Sequence, residues 1–240
     1  CYNYYVFCFR SDFMIKAAVF DLDHTLFDRY ETLKKIVPFF KDRFEIAEGI
    51  TDEFIYENLS WADKNFVHIG WTKIFAHLCS KGIFAEIPEY QEYEDFVISK
   101  FKEIAVKYPF AIPTINELKS MGLKIGLITN SESEVQNKKL AMLDLTDAFD
   151  YVIISGDTPY RKPDKEIFLM MTDYLGIKPE EMMFIGDHPK FDVDGSRKAG
   201  CVPVWVKTTG TWIFPEIEKP EFQVETVEEI PDIIRKINNI

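Results

Sequence analysis

The segment IKAAVFDLDHT, residues 15–25, joins an apolar run to an acidic turn. The run IKAAVF at 15–20 is rich in strand-forming residues and predicts a short buried strand. Asp21 and Asp23 begin where the apolar run ends, and two carboxylates so close together would normally repel each other. Their pairing suggests divided roles in a reaction, in which one carboxylate acts as a nucleophile and the other as a general acid and base.

Four later apolar runs have the same character, and helical patterns separate them. The strand candidates are KIGLIT at 124–129, YVIIS at 151–155, MMFIG at 182–186 and VPVWV at 202–206. The helix candidates are INELKSMG at 115–122, SEVQNKKLAML at 133–143, DKEIFLMMTDYLG at 164–176 and DVDGSRKAG at 192–200. Strands that alternate with helices predict an α/β fold with a parallel sheet and helices on both faces. The tail VETVEEIPDIIRKINNI predicts a final strand or turn and a closing helix.

Residues 30–105 differ from the rest of the chain in composition and hydrophobic pattern. No apolar strand run is evident there, and aromatic and helix-forming residues predominate, so we predict a helical bundle inserted after the first strand. The core then consists of residues 14–29 and 106–240. Residues 1–13, CYNYYVFCFRSDF, lack the features of a signal peptide and precede Met14, so we interpret them as an upstream or non-native extension.

Polar residues follow the predicted strands at the edge where parallel sheets bind ligands. Thr129 ends the second strand, Lys162 follows the third in RKP, and GDHPKFD after the fourth runs from Gly186 through Asp187 to Asp192. Carboxylates clustered at this edge would favour a hard cation with oxygen ligands, and Mg²⁺ has that preference. A lysine and a threonine hydroxyl beside them could hold phosphate oxygens, because phosphoryl transfer depends mainly on positioning and charge neutralisation.

Taken in order, the segments DLDHT, LITN, RKP and GDHPKFD resemble the four motifs of the haloacid dehalogenase-like hydrolase superfamily. The resemblance extends over nearly all of residues 15–210. It implies a Rossmann-like core and a Mg²⁺-dependent mechanism that passes through an aspartyl-phosphate. The chain resembles the subgroup with a helical cap after the first motif, here at 30–105, since 106 positions separate Asp23 from Thr129 and only 33 separate Thr129 from Lys162.

The resemblance also implies roles for individual residues. Asp21 matches the nucleophile, which is also a metal ligand, and Asp23 matches the general acid and base, whose backbone carbonyl is a further metal ligand. Asp187 matches a direct metal ligand, and Asp192 matches a supporting acidic residue that often acts through water. The remaining matches hold the phosphate or the substrate: Thr129, Lys162, Asn130, Leu22 and His24, the last through its backbone N–H.

The chain departs from the pattern of the family at three positions. His24 stands where relatives often have glycine, and Phe191 stands where they often have asparagine. Pro159, in the loop before the lysine, also replaces a frequent glycine. None of these changes removes a catalytic group. They bear on the loop shapes around the site, and therefore on substrate preference.

The leading hypothesis is a phosphatase acting on a small phosphate monoester, such as a nucleotide, a sugar phosphate or phosphoglycolate. A sugar phosphomutase shares all four motifs and differs by returning the phosphoryl group to a bound sugar. A 2-haloacid dehalogenase on the same fold is a third hypothesis, which Asp23 disfavours because that reaction has no alkoxide to protonate. A non-catalytic binding module would show no turnover even with saturating Mg²⁺.

The amino-acid composition limits the kinds of binding partner that can be expected. A formal net charge of -12 and a pI of about 4.9 argue against a broad face for nucleic acid, whose backbone is negatively charged. No apolar run approaches the roughly 20 residues of a membrane span. Four cysteines without a CxxC pair predict reduced thiols and a cytoplasmic protein. A small phosphorylated metabolite is the expected partner, and the sequence leaves the oligomeric state open.

Overall fold

Six parallel strands form a single sheet in the computed structural model, which describes residues 14–66, 71–209, 212 and 214–240. The strands are β1 (Ala17–Phe20), β2 (Lys124–Thr129), β3 (Tyr151–Ile154), β4 (Met182–Gly186), β5 (Val202–Val206) and β6 (Phe222–Val224). They lie in the order β3-β2-β1-β4-β5-β6. The five predicted strands are confirmed. β6 ends at Val224, the first residue of the tail where a strand or a turn was predicted. The predicted extension 1–13 lies outside the described residues.

Ten α-helices accompany the sheet in the described part of the chain. They are α1 (Arg29–Ile36), α2 (Phe40–Arg43), α3 (Asp52–Phe66), α4 (Trp71–Ser80), α5 (Tyr90–Glu103), α6 (Ala111–Ser120), α7 (Ser133–Met142), α8 (Lys165–Leu175), α9 (Gly195–Lys198) and α10 (Ile230–Asn238). The four helices predicted between the strands and the closing helix are confirmed. The helix predicted at 192–200 begins earlier, because α9 continues a π-helix at Pro189–Asp194. None of the helices in the described ranges combines the length and the apolar character that crossing a bilayer requires.

Both faces of the sheet are covered. All four residues of β1 are fully buried, although their side chains alternate between the two faces. On one face, Ala17 and Val19 belong to the same apolar cluster as Phe168 and Met171 of α8. The packing is close enough that a Cβ on Gly126 in β2 would lie 2.9 Å from the sulfur of Met171. The predicted α/β fold with a parallel sheet buried on both faces is therefore confirmed.

The chain divides into two compact units. The first contains the sheet, and its segments are the described residues through Thr25, Pro109–Asn130 and Ala148–Ile240. The second is helical, and its segments are Leu26–Tyr108 and Ser131–Asp147. The second unit thus includes α7, which the sequence analysis placed in the core. The predicted domain boundaries, with a cap at 30–105, stay a prediction.

Aromatic side chains fill the second unit. The rings of Phe44 and Phe84 meet edge to face with centroids 5.6 Å apart, and those of Phe40 and Tyr93 do so at 6.3 Å. Edge-to-face pairs of this kind add roughly 0.5–1.5 kcal/mol each to the free energy gained by burying their area. The aromatic composition of residues 30–105 is therefore explained by a packed helical core.

Arg29 and Asp63 form a buried ion pair within the same unit. Arg29 Nε lies 3.1 and 3.0 Å from the two Asp63 carboxylate oxygens, and Arg29 Nη2 lies 2.8 Å from Oδ1. The guanidinium also lies 4.7 Å from the Phe101 ring centroid and 5.3 Å from that of Trp71. Removing either residue would take away an opposite charge at 2.8 Å from a group buried in an apolar interior, which is costly.

Candidate active site

The carboxyl ends of three adjacent strands meet at one edge of the sheet. Asp21 follows β1, Thr129 ends β2, and Asp187 follows β4. Because β1 lies between β2 and β4, the structure brings these three residues to neighbouring positions, as the sequence predicted. The Asp21 N–H donates to the Ile185 carbonyl at 2.9 Å, which extends the β1–β4 pairing by one residue and fixes the start of the acidic turn.

Lys162 enters this edge from the loop between β3 and α8. Its Nζ donates to Asp21 Oδ1 and to Asp192 Oδ1, each at 2.6 Å, and its side chain is only 3% exposed. Burial alone would lower the pKa of Lys162, but the Asp192 and Asp21 carboxylates outweigh it and raise the pKa above its ordinary value. The raised pKa favours the charged form of the lysine.

Asn130 holds the backbone of Lys162 in place. Its Nδ2 donates to the Lys162 carbonyl at 2.9 Å, and its Oδ1 accepts from the Lys162 N–H at 2.9 Å. One side-chain amide thus satisfies both polar groups of a residue that lies 32 positions away. Asn130 was predicted to bind the substrate, and the structure gives its side chain this positioning contact.

Asp192 links Lys162 to the loop that carries Asp187. Its Oδ1 accepts from Lys162 Nζ, and its Oδ2 accepts from the His188 N–H at 2.9 Å. There is no room for a side chain at Gly186, since a Cβ there would lie 2.5 Å from the carboxyl carbon of Asp192. The glycine before Asp187 is therefore required by the close approach of the Asp192 carboxylate.

His188 caps the π-helix that contains Asp192. Its Nδ1 accepts hydrogen bonds from the N–H groups of Lys190 and Phe191 at 3.1 and 3.2 Å. The Phe191 ring stacks on the imidazole with centroids 4.2 Å apart. Phe191, which departs from the family pattern, therefore supports the residue that orders this loop.

The acidic groups of the site repel one another. Burial raises the pKa of Asp21 to about 7, the Asp192 and Asp23 carboxylates add to this rise, and Lys162 opposes it. Burial likewise raises the pKa of Asp187 well above its ordinary value, and the Asp192 and Asp21 carboxylates raise it further. Lys162 therefore does not offset the combined effect of burial and of the neighbouring carboxylates on the pKa of Asp21.

The donor set fits a hard divalent cation. One carboxylate oxygen each from Asp21, Asp187 and Asp192 lies within 4.8 Å of the other two, and all three residues are buried. Such cations prefer oxygen ligands, and their charge would stabilise the ionised carboxylates, whose pKa values are raised first by burial and then by one another. The three carboxylates predicted to cluster do so.

Leu22, Asp23 and His24 complete the acidic turn. Asp23 lies outside the three-carboxylate group, yet its charge contributes to the raised pKa of Asp21. The Leu22 side chain is fully buried, which leaves its backbone for any contact with a bound molecule. His24 has a φ of 65°, in the left-handed region where a side chain is strained and a glycine is not. This backbone conformation accounts for the glycine that relatives often have there.

Two contacts of the site were not predicted from the sequence. The first is the clamp that Asn130 makes on Lys162. The second is a hydrogen bond from Trp205 Nε1 to the Asp187 carbonyl at 2.9 Å. The tryptophan near the carboxyl end of the run VPVWV could have indicated this contact, because a buried indole N–H usually has a hydrogen-bond acceptor.

Known proteins match the chain over most of its length. A model of the haloacid dehalogenase-like hydrolases matches residues 15–200. A glyceraldehyde 3-phosphate phosphatase from Methanopyrus kandleri is 27% identical to this chain. The alignment covers 93% of this chain and 99% of that protein.

Solved structures with the same fold include different enzymes. The crystal structure of a HAD phosphatase from Thermococcus onnurineus aligns with a TM-score of 0.61 at 24% identity, over 92% of this chain and 98% of that one. An L-2-haloacid dehalogenase from Xanthobacter autotrophicus aligns with a TM-score of 0.63 at 22% identity, over 92% of this chain and 99% of that one. The fold alone does not separate these two activities, so the residues at the edge of the sheet must.

Proposed function

Because the chain belongs to the haloacid dehalogenase-like hydrolases, we propose that it is a phosphatase that hydrolyses small phosphate monoesters with Asp21 as the nucleophile. The observation that carries the proposal is the contact of one buried lysine with two carboxylates, at 2.6 Å from Lys162 Nζ to Asp21 and to Asp192. The ammonium aligns the attacking carboxylate and supplies positive charge where phosphate oxygens would bind.

Mg²⁺ is the cation that we assign to the carboxylate cluster. Asp21 and Asp187 would hold it directly, together with the backbone carbonyl of Asp23. Both oxygens of Asp192 already accept hydrogen bonds, which favours a supporting role through water. When bound, Mg²⁺ neutralises charge on the phosphate and on the carboxylates.

The first step transfers the phosphoryl group to the protein. The Asp21 carboxylate attacks phosphorus, and a new O–P bond forms as the P–O bond to the leaving alkoxide breaks. Asp23 gives its proton to the alkoxide oxygen. Lys162 balances the charge on the phosphate oxygens, and the Thr129 hydroxyl donates a hydrogen bond to one of them.

The second step returns the protein to its starting state. Asp23, now a carboxylate, takes a proton from a water molecule that attacks phosphorus in the aspartyl-phosphate. Inorganic phosphate leaves, and Asp21 is free to react again. The backbones of Leu22 and His24 are assigned to phosphate binding in both steps, and Asn130 keeps Lys162 in place.

Specificity is assigned to the helical insertion at 30–105, which we propose is a cap. The substrate is a small phosphorylated metabolite, and the acidic net charge of -12 disfavours nucleic acid as a partner. Glyceraldehyde 3-phosphate is the first compound to test, because a relative that aligns over 99% of its own length is named for it. A cytoplasmic location is supported by Cys79 and Cys201, which form no disulfide in the described part of the chain.

The proposal is tested by measuring phosphate release from a panel of phosphorylated compounds. The panel contains glyceraldehyde 3-phosphate, phosphoglycolate, sugar phosphates and nucleotides, each with Mg²⁺ and with EDTA. The inactive variant is Asp21→Asn, and its matched control is Asp194→Asn, since Asp194 pairs with Lys198 at 2.6 Å rather than with the site.

We expect release that requires Mg²⁺, is abolished in Asp21→Asn and is unchanged in Asp194→Asn. Release that persists in Asp21→Asn would remove Asp21 from the role of nucleophile. Isomerisation of a sugar phosphate without free phosphate would replace the phosphatase with a mutase.

A further inference from the structure

Trp205 touches the candidate metal ligand from a strand that supplies no ligand itself. It lies near the carboxyl end of β5, beside Gly186 of β4 in the register of the sheet, and is only 3% exposed. Its Nε1 donates to the Asp187 carbonyl at 2.9 Å. The indole therefore reaches the backbone of Asp187 from the flank of the sheet.

The peptide unit between Asp187 and His188 is held on both sides. Its carbonyl accepts from Trp205, and its N–H donates to Asp192 Oδ2 at 2.9 Å. Because a peptide unit is planar, fixing its C=O and its N–H fixes the orientation of the whole plane. That orientation in turn sets the direction in which the Asp187 side chain leaves the backbone.

The indole is itself held by its surroundings. The Trp212 ring meets it at an interplanar angle of 72° with centroids 4.8 Å apart. Lys219 Nζ lies 5.5 Å from the centroid of the Trp205 ring, within the range of a cation–π contact. The donor is therefore preorganised, and it does not have to find its acceptor when a ligand arrives.

We propose that Trp205 is a positioning residue for the metal site. Its N–H orients the Asp187–His188 peptide so that the Asp187 carboxylate lies with those of Asp21 and Asp192. The proposal rests on the proposed function, in which Asp187 is a direct ligand of Mg²⁺. Groups that orient metal ligands from outside the coordination sphere commonly change metal affinity by 10- to 100-fold when they are removed.

The test compares Trp205→Phe with Trp212→Phe in the full chain. Trp205→Phe keeps an aromatic ring and removes the N–H that reaches Asp187. Trp212→Phe keeps an aromatic ring against Trp205 and removes only a matched indole N–H, whose acceptor is the Ile217 carbonyl and not Asp187. Titration calorimetry with MgCl₂ measures the Kd directly, and phosphate release measures the Mg²⁺ concentration that gives the half-maximal rate.

We expect Trp205→Phe to raise both Mg²⁺ constants by about tenfold and Trp212→Phe to leave them unchanged. A variant that merely unfolds more easily would bind fewer equivalents of Mg²⁺ with the same Kd. Should Trp205→Phe fail to fold, benzothienylalanine at position 205 replaces the N–H by sulfur and keeps the bicyclic shape. An unchanged Kd in the folded variant would overturn the proposal while the phosphatase stands. Absence of both Mg²⁺ binding and turnover in the unaltered protein would overturn the phosphatase as well.

Discussion

Asp21→Asn is expected to stabilise the metal-free protein above neutral pH while abolishing its activity. Burial raises the pKa of Asp21 from 3.8 to about 7, so the fold favours the protonated acid over the carboxylate. Asparagine has the shape and the neutral charge of the protonated acid. The variant therefore keeps the packing of the site and loses the charge that opposes folding.

The sign and the size follow from the shift in pKa. Between pH 3.8 and about 7 the folded state binds more protons than the unfolded state, so the free energy of unfolding falls as the pH rises. At about 1.4 kcal/mol for each unit of pKa, the ionised Asp21 costs about 4 kcal/mol at pH 8. Asparagine avoids this cost, and its advantage shrinks to about 2 kcal/mol at pH 5 and below about 1 kcal/mol at pH 4.

The assay is urea unfolding of the unaltered protein and of Asp21→Asn in EDTA at pH 4, 5 and 8, monitored by tryptophan fluorescence. Asp194→Asn is the control, since it removes a charge from a carboxylate whose partner is the exposed Lys198. Saturating MgCl₂ at pH 8 is expected to reduce the difference in the free energy of unfolding between the two proteins. The reason is that the cation offsets the charge of Asp21, which only the unaltered protein has.

A wild-type protein as stable as Asp21→Asn at pH 8 in EDTA would refute this reasoning. It would mean that Lys162 fully offsets the cost of burying the ionised Asp21 carboxylate beside Asp192 and Asp23. An advantage of Asp21→Asn that stays constant from pH 4 to pH 8 would also contradict it, since the effect would then not be ionisation.

Three further substitutions test other parts of the structure. Lys162→Met leaves the carboxylates without their lysine, so phosphate release should fall about 100- to 1000-fold and urea unfolding at pH 8 should show a loss of about 3–5 kcal/mol. Gly186→Ala places a Cβ 2.5 Å from the Asp192 carboxyl carbon and should lower the free energy of unfolding by about 1–3 kcal/mol; an unchanged urea midpoint would contradict the contact. Arg29→Met should lower the free energy of unfolding by about 3–5 kcal/mol, and adding Asp63→Leu should recover most of this loss. If the ion pair did not affect stability, the two substitutions would have small and additive effects.

The sheet was predictable because burial on both faces gives each strand a short, continuous apolar run. This pattern is evident in β1, β2 and β4, and the polar residues at their carboxyl ends can be assigned to one edge from the sequence alone. The start of α6 was less accessible to prediction. It begins at Ala111, ahead of the predicted 115. Pro113 does not prevent this earlier start, because it lies in the first turn, where the backbone N–H groups lack helical partners in any case.

The contacts that position the site residues could not be predicted in the same way. The Asn130 clamp on Lys162 spans 32 positions, and the pair of Arg29 with Asp63 spans 34. Neither leaves a periodic signal in the sequence, because each depends on where two separate segments meet. The regular helix predicted at 192–200 also missed the π-helix at Pro189–Asp194, whose first turn is capped by the side chain of His188.

The central place of β1 in the sheet has a consequence for biosynthesis. Its neighbours β2 and β4 both come later in the chain, and β4 begins only at Met182. A growing chain therefore carries an apolar strand without a partner until β2 has been made, and with one open edge until β4 has been made. Exposed apolar strand edges of this kind promote aggregation, which chaperones counteract. Under the proposed function Asp187 and Asp192 belong to the site as well, so a nascent chain would act on phosphate esters only after β4 and the residues that follow it have been made.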